Sequence, residues 1–262
     1  MILRRVIEHV KHQNWTAIAL DFVIVVMGVF MGIQLGNWNA ARIAEAQADD
    51  LLQRMIAEAE DARADMAEYR TDHDVILDGA LKLAARLKET DACLRMDDEM
   101  KELIIRVGDF PPPRFSLATA REAIESGSLS AFGAGEMRDG VRKISDEMNF
   151  MDRQWQRYIR IKQDIEQIMY PAAGLSLTGD QALKVLPGNE FSGIEQFRLQ
   201  TPEGVCGQPV MVAYATNAAL TQHIYTRYLT QVSGKLDAYA ALLSAYADGQ
   251  ADRLSRNNED AP

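Results

Sequence analysis

The sequence predicts an all-α protein: an N-terminal transmembrane helix continues into a long helix, which joins an antiparallel up-down helical bundle with one long irregular loop. Three observations lead to this fold class. Residues 16–36 are apolar apart from Asp21 and Gln34. Three long stretches that follow carry apolar residues at alternating spacings of three and four, which is the helical period. Residues 171–209 show no sustained period and contain repeated Gly and Pro.

Residues 16–36 predict a membrane-spanning helix within an anchor that covers residues 15–38. At a rise of about 1.5 Å per residue the run spans about 31 Å, which matches the hydrocarbon core of a bilayer. Trp15 and Trp38 flank it, as membrane-interface anchors do. A cleaved signal peptide fits less well, because the apolar run is long and no small-residue cleavage site follows. A soluble core helix would keep a polar stripe, which residues 22–33 lack.

The basic residues around the anchor predict its orientation. Arg4, Arg5 and Lys11 precede it, whereas Arg42 is followed by acidic residues. Basic residues stay on the cytoplasmic side, so the N-terminus is predicted inside. Residues 1–14 then form a cytoplasmic amphipathic lead-in, and the bulk of the chain is periplasmic if the membrane is a bacterial inner membrane.

One face of the anchor combines small residues with its single charge. Ala17, Asp21, Gly28, Gly32 and Gly36 lie within about 100° of one another on a helix. Small residues four apart allow a second helix to approach closely, and a carboxylate at this depth needs a partner or a path to water. The face therefore predicts an interface with a second copy or with a partner transmembrane protein. The alternative is that Asp21 extends to the headgroups.

Residues 39–248 predict a periplasmic helical bundle. The net charge of −10 argues against a nucleic-acid partner, since phosphate contacts need clustered basic residues. Cys93 and Cys206 are the two cysteines, and an oxidising compartment favours a disulfide between them over two buried thiols. No zinc-protease, phosphate-loop or Cys-x-x-Cys motif is present, so we expect no catalytic residue, no cofactor and no metal.

The first helix of the bundle is predicted over residues 39–90. Its apolar seam has the heptad spacing of a coiled coil and consists of Leu52, Met55, Ala59, Ala62, Met66, Tyr69, His73, Ile76, Ala80, Leu83 and Leu87. A break at 90–95, a short helix at 97–107 and an extended proline segment at 109–114 follow. A further helix is predicted to start at a Ser116 cap and to end near Gly127.

Two more long helices are predicted over residues 135–170 and 210–248. The first has a seam made of Met137, Val141, Ile144, Met148, Met151, Trp155, Tyr158, Ile161, Ile165 and Ile168 and is expected to stop at Pro171. Between the two helices, residues 171–209 form the irregular excursion, with a short hairpin around 193–199. Residues 249–262 are polar and predict a disordered tail.

Two motifs resemble those of a family of uncharacterised bacterial single-pass inner-membrane proteins. The first is Asp21-Phe22-Val23-Ile24-Val25-Val26 with Gly28 and the exit Ile33-Gln34-Leu35-Gly36-Asn37-Trp38-Asn39; the second is residues 119–129, TAREAIESGSL, with Glu136-Met137-Arg138 after it. The family has Glu where this chain has Asp21. The resemblance implies a single-pass anchor with a helical exported domain and brings no assigned activity.

Three functions are compatible with these observations. The preferred one is a membrane-anchored scaffold or accessory subunit that acts through helix–helix association. The second is a periplasmic ligand sensor, although the sequence offers no cytoplasmic output domain. The third is a proton-linked, stator-like subunit that uses Asp21.

Overall fold

The computed structural model describes residues 15–132, 135–177 and 197–259, and it confirms the all-α class. The helices are α1 (Trp15–Arg86), α2 (Thr90–Leu94), α3 (Asp98–Ile105), α4 (Ala118–Glu125), α5 (Gly135–Ala173) and α6 (Pro209–Glu259). Two short strands, β1 (Leu175–Leu177) and β2 (Phe197–Leu199), and 3₁₀ turns at Arg106–Gly108, Ser128–Phe132 and Pro202–Gly204 complete the described elements. The chain divides into two compact units, residues 1–51 and 52–262.

The first unit is helical throughout its described part. From Leu20 to Gln47, every side chain that the structure describes is exposed. A helix with this many apolar side chains on all its faces cannot bury them against itself. The predicted lead-in at residues 1–14 lies outside the described residues.

The second unit is a bundle in which α6 runs antiparallel to α5 and to the second part of α1. Arg63 of α1 pairs with Asp237 of α6, and His73 of α1 pairs with Gln222 of α6. Residue numbers therefore increase along α1 in the direction in which they decrease along α6. The predicted seam of α1 is buried at every position except the half-buried Ile76. The three-four spacing therefore located the core face of this helix correctly.

The seam of α5 differs from the prediction in its second half. Lys162 and Met169 are buried there, whereas Ile161 and Ile168 are half-buried. Tyr158, Lys162, Ile165 and Met169 keep the spacing of four, three and four. The buried face of the helix thus includes the charged Lys162, and the neighbouring isoleucines lie at its margin.

Helix ends were predicted less well than helix faces. Pro171 does not stop α5, which continues to Ala173 and ends at Gly174 with φ of +64°. A proline in the last turn removes one backbone donor, and that loss is small where the helix is about to end. The predicted break at 90–95 contains the helical turn α2, and α6 runs beyond residue 248 to Glu259, where we had predicted a disordered tail.

Ser116 is not the cap of α4. The N-cap position belongs to Leu117, which makes no side-chain cap. The cap comes from α1 instead, because the Glu58 carboxylate accepts the backbone N–H of Thr119 at 3.0 Å and of Ala120 at 3.4 Å. Gly127, in contrast, takes the left-handed conformation expected of a residue that ends a helix, with φ of +75°.

The irregular excursion, residues 171–209, contains a two-stranded antiparallel sheet. Leu175 pairs with Leu199 and Leu177 with Phe197, so the two strands enclose residues 178–196. The predicted hairpin around 193–199 falls partly on residues 178–196, which lie outside the described residues; its described part, Phe197–Leu199, pairs with Leu175–Leu177. A pairing across about twenty intervening residues leaves no local signal comparable to that of a two-residue turn.

A disulfide joins Cys93 of α2 to Cys206, just before α6, with the two Cα atoms 5.6 Å apart. Both cysteines are buried. Next to the bridge, the Gly207 N–H donates to the Leu87 carbonyl at 3.0 Å. The bridge spans 113 residues and holds the end of the excursion against the end of α1.

Candidate functional site

The most conspicuous surface of the described chain is the apolar part of α1. Twelve large apolar side chains between Leu20 and Leu35 are each 48% to 68% exposed. The helix is long and apolar enough to cross a membrane, and none of its apolar window is buried. Soluble monomers rarely expose a contiguous apolar patch of this size.

The predicted interface residues lie within this helix. Around Gly28, Gly32 and Gly36, a side-chain methyl group would meet no atom of the chain within 4 Å. These glycines therefore provide no close packing within the chain itself, although small residues four apart are typical of helix–helix contacts in membranes. Trp15, Ala17 and Asp21 belong to the helical backbone, and their side chains lie outside the described residues.

Trp38 lies at the end of the apolar run and is 60% exposed. The Arg42 guanidinium carbon lies 5.3 Å from the centre of the Trp38 ring, within range of a cation–π contact. An indole next to a basic group is a suitable pair for the interface between hydrocarbon and headgroups.

A second candidate site is a group of buried polar residues inside the bundle. Gln222 on α6 has its amide nitrogen 2.7 Å from His73 Nδ1 and 3.0 Å from the His73 carbonyl oxygen. A carbonyl oxygen can only accept a hydrogen bond, so the Gln222 amide group must turn its nitrogen toward His73. The same nitrogen then donates its second hydrogen to Nδ1. His73 is therefore neutral with its proton on Nε2. Burial, together with the charge of Lys162, lowers its pKa to about 4, which agrees with the neutral ring.

The residues around this pair satisfy the backbone of the segment that connects α3 to α4. Tyr69 donates to the Pro111 carbonyl at 2.9 Å, and Trp155 Nε1 donates to the same carbonyl at 2.9 Å. Because the Tyr69 proton is used in that bond, the Tyr225 hydroxyl is the donor in its 3.1 Å contact with Tyr69. Carbonyls that secondary structure leaves unpaired are thus paired by side chains of α1 and α5.

Lys162 makes a third contact of this kind. Its ammonium group is fully buried and donates to the Val107 carbonyl at 3.0 Å. Burial lowers the pKa of Lys162 to about 8, while Asp109 and Glu166 oppose this shift. Burial also raises the pKa of Asp109 to about 6, against the opposing charges of Arg106 and Lys162.

Two polar atoms next to this network have no partner among the described residues: His73 Nε2 and Gln222 Oε1. Two surface grooves of the bundle, one beside residues 114–119 and one beside α4, are lined by other residues. Among the residues described, no group of three His, Cys, Asp or Glu side chains could hold a metal ion. The network is suited to holding backbone in place, and we assign it a structural role.

Several of these residues were not singled out by sequence reasoning. Lys162 keeps the three-four spacing of α5, which is a usable signal, and Trp155 belongs to the predicted seam of that helix. Gln222 and Glu58 carry no such signal, because their partners are 149 and 61 positions away. Asp109 has an ion-pair partner three positions away, Arg106, and only the fold decides its burial.

Comparison with models of protein families, with curated proteins and with solved structures finds no match to this chain. The resemblance described above therefore stays a prediction.

Proposed function

We propose that this chain is a single-pass protein of a bacterial inner membrane that serves as a scaffold or accessory subunit. In this proposal residues 15–38 cross the membrane, the N-terminus is cytoplasmic and the helical bundle is periplasmic. The chain acts through association with other proteins, and we assign no catalytic step to it. The observation that carries the proposal is the run of exposed apolar side chains from Leu20 to Leu35.

Water is an unfavourable surrounding for that run. Burying apolar surface is worth about 25 cal/mol per Å², and the twelve large side chains are each about half exposed or more. Hydrocarbon removes this cost, and a helix satisfies its own backbone hydrogen bonds there. The Trp38–Arg42 contact is suited to the end of such a span.

The disulfide supports a periplasmic bundle. Structural disulfides persist in oxidising compartments and are rare in the cytosol. The bridge between Cys93 and Cys206 lies in the second unit, after the apolar run. The basic residues Arg4, Arg5 and Lys11 favour the same orientation.

The open glycine face supports association. Gly28, Gly32 and Gly36 have no neighbour in the chain, and Ala17 and Asp21 share their face by helical periodicity. In lipid, close backbone approach and polar contacts drive helix pairing, whereas apolar bulk alone does not.

We predict that Gly28→Leu combined with Gly32→Leu abolishes self-association or partner association in a membrane-helix reporter assay. Bulky side chains would keep the two backbones apart. The control is Val23→Leu with Val26→Leu, which places leucines on the opposite side of the helix and leaves the glycine face unchanged. Full association by the glycine variant, with membrane insertion unchanged, would remove the proposal.

A further inference from the structure

An acidic stripe runs along one side of α1 in the bundle. It consists of Asp61, Asp65, Glu68 and Asp72, all exposed. They lie within about 60° of one another on the helix and cover about 17 Å along it. None of the four forms an ion pair with another residue that the structure describes.

An arginine stripe runs along α5. It consists of Arg142, Arg153, Arg157 and Arg160, all exposed and again within about 60°. No ion pair joins any of them to a described residue, although the exposed Asp146 and Asp164 fall within the same 60° sector of the helix. Some arginines elsewhere in the bundle form ion pairs, as Arg63 does with Asp237 and Arg86 with Asp97. In the arginine stripe, the Arg153 guanidinium carbon lies 5.7 Å from the centre of the Phe150 ring, a cation–π contact that supplies no counter-charge.

The two stripes border the same side of the bundle, with α4 and the residues before it between them. Asp61 and Asp65 line a groove of about 420 Å³ whose other wall is formed by residues 114–119. Arg142 lines a second groove, of about 530 Å³, opposite Arg121 and Glu125 of α4. In each stripe, the remaining residues lie on the same helix beyond those that line the groove.

The stripes also lie at the same height along the bundle. Tyr225 of α6 contacts Tyr69 of α1 through its hydroxyl and packs against Tyr158 of α5 at a ring distance of 5.4 Å. Tyr69 follows Glu68 of the acidic stripe, and Tyr158 follows Arg157 of the arginine stripe. Since α1 and α5 are parallel, Glu68 and Arg157 are level with each other.

We infer that this face binds a second copy of the chain about a two-fold axis parallel to the bundle. When two copies face each other in this way, the acidic stripe of each lies opposite the arginine stripe of the other, without a change in height. Such an interface is isologous and closes at two copies. The inference deepens the proposed function by naming the partner, and it rests on membrane anchoring, which gives both copies the same orientation.

The charges are suited to this role. Exposed ion pairs are individually weak, but opposed rows of charge steer association and exclude wrong registers. Arginine is enriched at protein interfaces. Confinement of both copies to one membrane raises their effective concentration, so a modest interface suffices.

Charge reversal on the full-length chain tests the inference. One variant carries Asp61→Lys, Asp65→Lys and Glu68→Lys, and the other carries Arg153→Glu, Arg157→Glu and Arg160→Glu. Each variant is expressed in two tagged forms, extracted in mild non-ionic detergent at low salt and captured through one tag. We expect self-capture of each variant to fall at least tenfold, because like charges would face each other.

The decisive sample mixes the two variants. One then carries two basic stripes and the other two acidic stripes, so capture of one by the other should return to the wild-type level and should weaken with added salt. Asp74→Lys and Arg227→Glu, exposed positions outside the stripes, are the controls and should change nothing. Melting temperatures report whether each variant is folded.

The outcomes separate this inference from the proposed function. Undiminished self-capture of either reversed variant, or a mixture that fails to recover, overturns the two-fold interface. If Gly28→Leu with Gly32→Leu abolishes association while charge reversal does not, the membrane interface stands and this one fails. If wild-type copies do not capture each other at all, the inference fails and a different transmembrane partner is left for the proposed function.

Discussion

At the scale of single residues, the His73–Gln222 pair and Asp109 respond to pH in opposite directions. The folded-state pKa of His73 is about 4, below its ordinary 6.5, so the unfolded chain takes up a proton first as the pH falls through this window. The contribution of His73 to the free energy of unfolding is therefore fully present above pH 6.5 and is lost as the pH falls toward 4. The folded-state pKa of Asp109 is about 6, above its ordinary 3.8, so the folded chain takes up this proton first and gains stability as the pH falls.

We predict that replacing each group removes its own pH-dependent contribution to stability. In His73→Phe, the loss of stability relative to wild type should shrink by up to about 3 kcal/mol between pH 6.5 and 4, because the variant has no ring to protonate. In Asp109→Asn, any gain over wild type at neutral pH should disappear as the pH falls below 6. Urea unfolding of the detergent-solubilised chain, followed by circular dichroism at several pH values, measures both differences. Parallel pH profiles for the three proteins would contradict the assignment.

At the scale of elements, helix ends depend on a few backbone positions and on distant side chains. Gly127 and Gly174 both have positive φ, but their surroundings differ. A methyl group on Gly127 would meet nothing within 4 Å, whereas one on Gly174 would lie 3.0 Å from the Thr201 backbone nitrogen. The start of α4 depends instead on a distant side chain, because Glu58 of α1, 61 positions away, caps it.

We predict three different results for the same Gly-to-Ala change. Gly127→Ala should cost about 1 kcal/mol, the strain of a left-handed residue with a Cβ atom. Gly174→Ala should cost clearly more, since the strain adds to the contact with Thr201. Gly234→Ala, within α6 and with open space around it, should stabilise the chain by about 1 kcal/mol. Equal effects in chemical denaturation would show that the backbone geometry is not the cause.

At the scale of the whole molecule, the disulfide couples stability to compartment. It closes 113 residues, and chain-entropy arguments give about 4 to 5 kcal/mol for a loop of this length. Both cysteines are buried, so the native bridge should resist reductants until the bundle unfolds. A reducing compartment would therefore hinder the folding of newly made chains more than it would destabilise chains that are already folded.

We predict that Cys93→Ala with Cys206→Ala lowers the free energy of unfolding by about 4 kcal/mol, measured in urea. In cells, acid-quenched wild-type chain should take up a thiol-alkylating reagent only after reduction. The control is Cys93→Ala alone, which leaves one thiol that should label upon denaturation without reduction. Labelling of wild type without reduction would place the bundle in a reducing compartment and contradict the proposed orientation.

The sequence by itself determined the all-α class, the apolar run at residues 16–36, the core face of α1 and most of that of α5. These features depend on local periodicity, and a period of 3.6 repeated over many turns outweighs single exceptions. His73 shows the same: the spacing placed it in the core although its side chain is polar.

Only the tertiary structure decided where helices end, which strand pairs with Phe197–Leu199 and how Lys162, Gln222 and Glu58 are used. It also decided that the acidic and arginine stripes border one side of the bundle. Each of these depends on contacts between residues far apart in the chain, and the residue types alone do not encode such distances. The free energy of a buried polar group is set by its partner, and the fold chooses that partner.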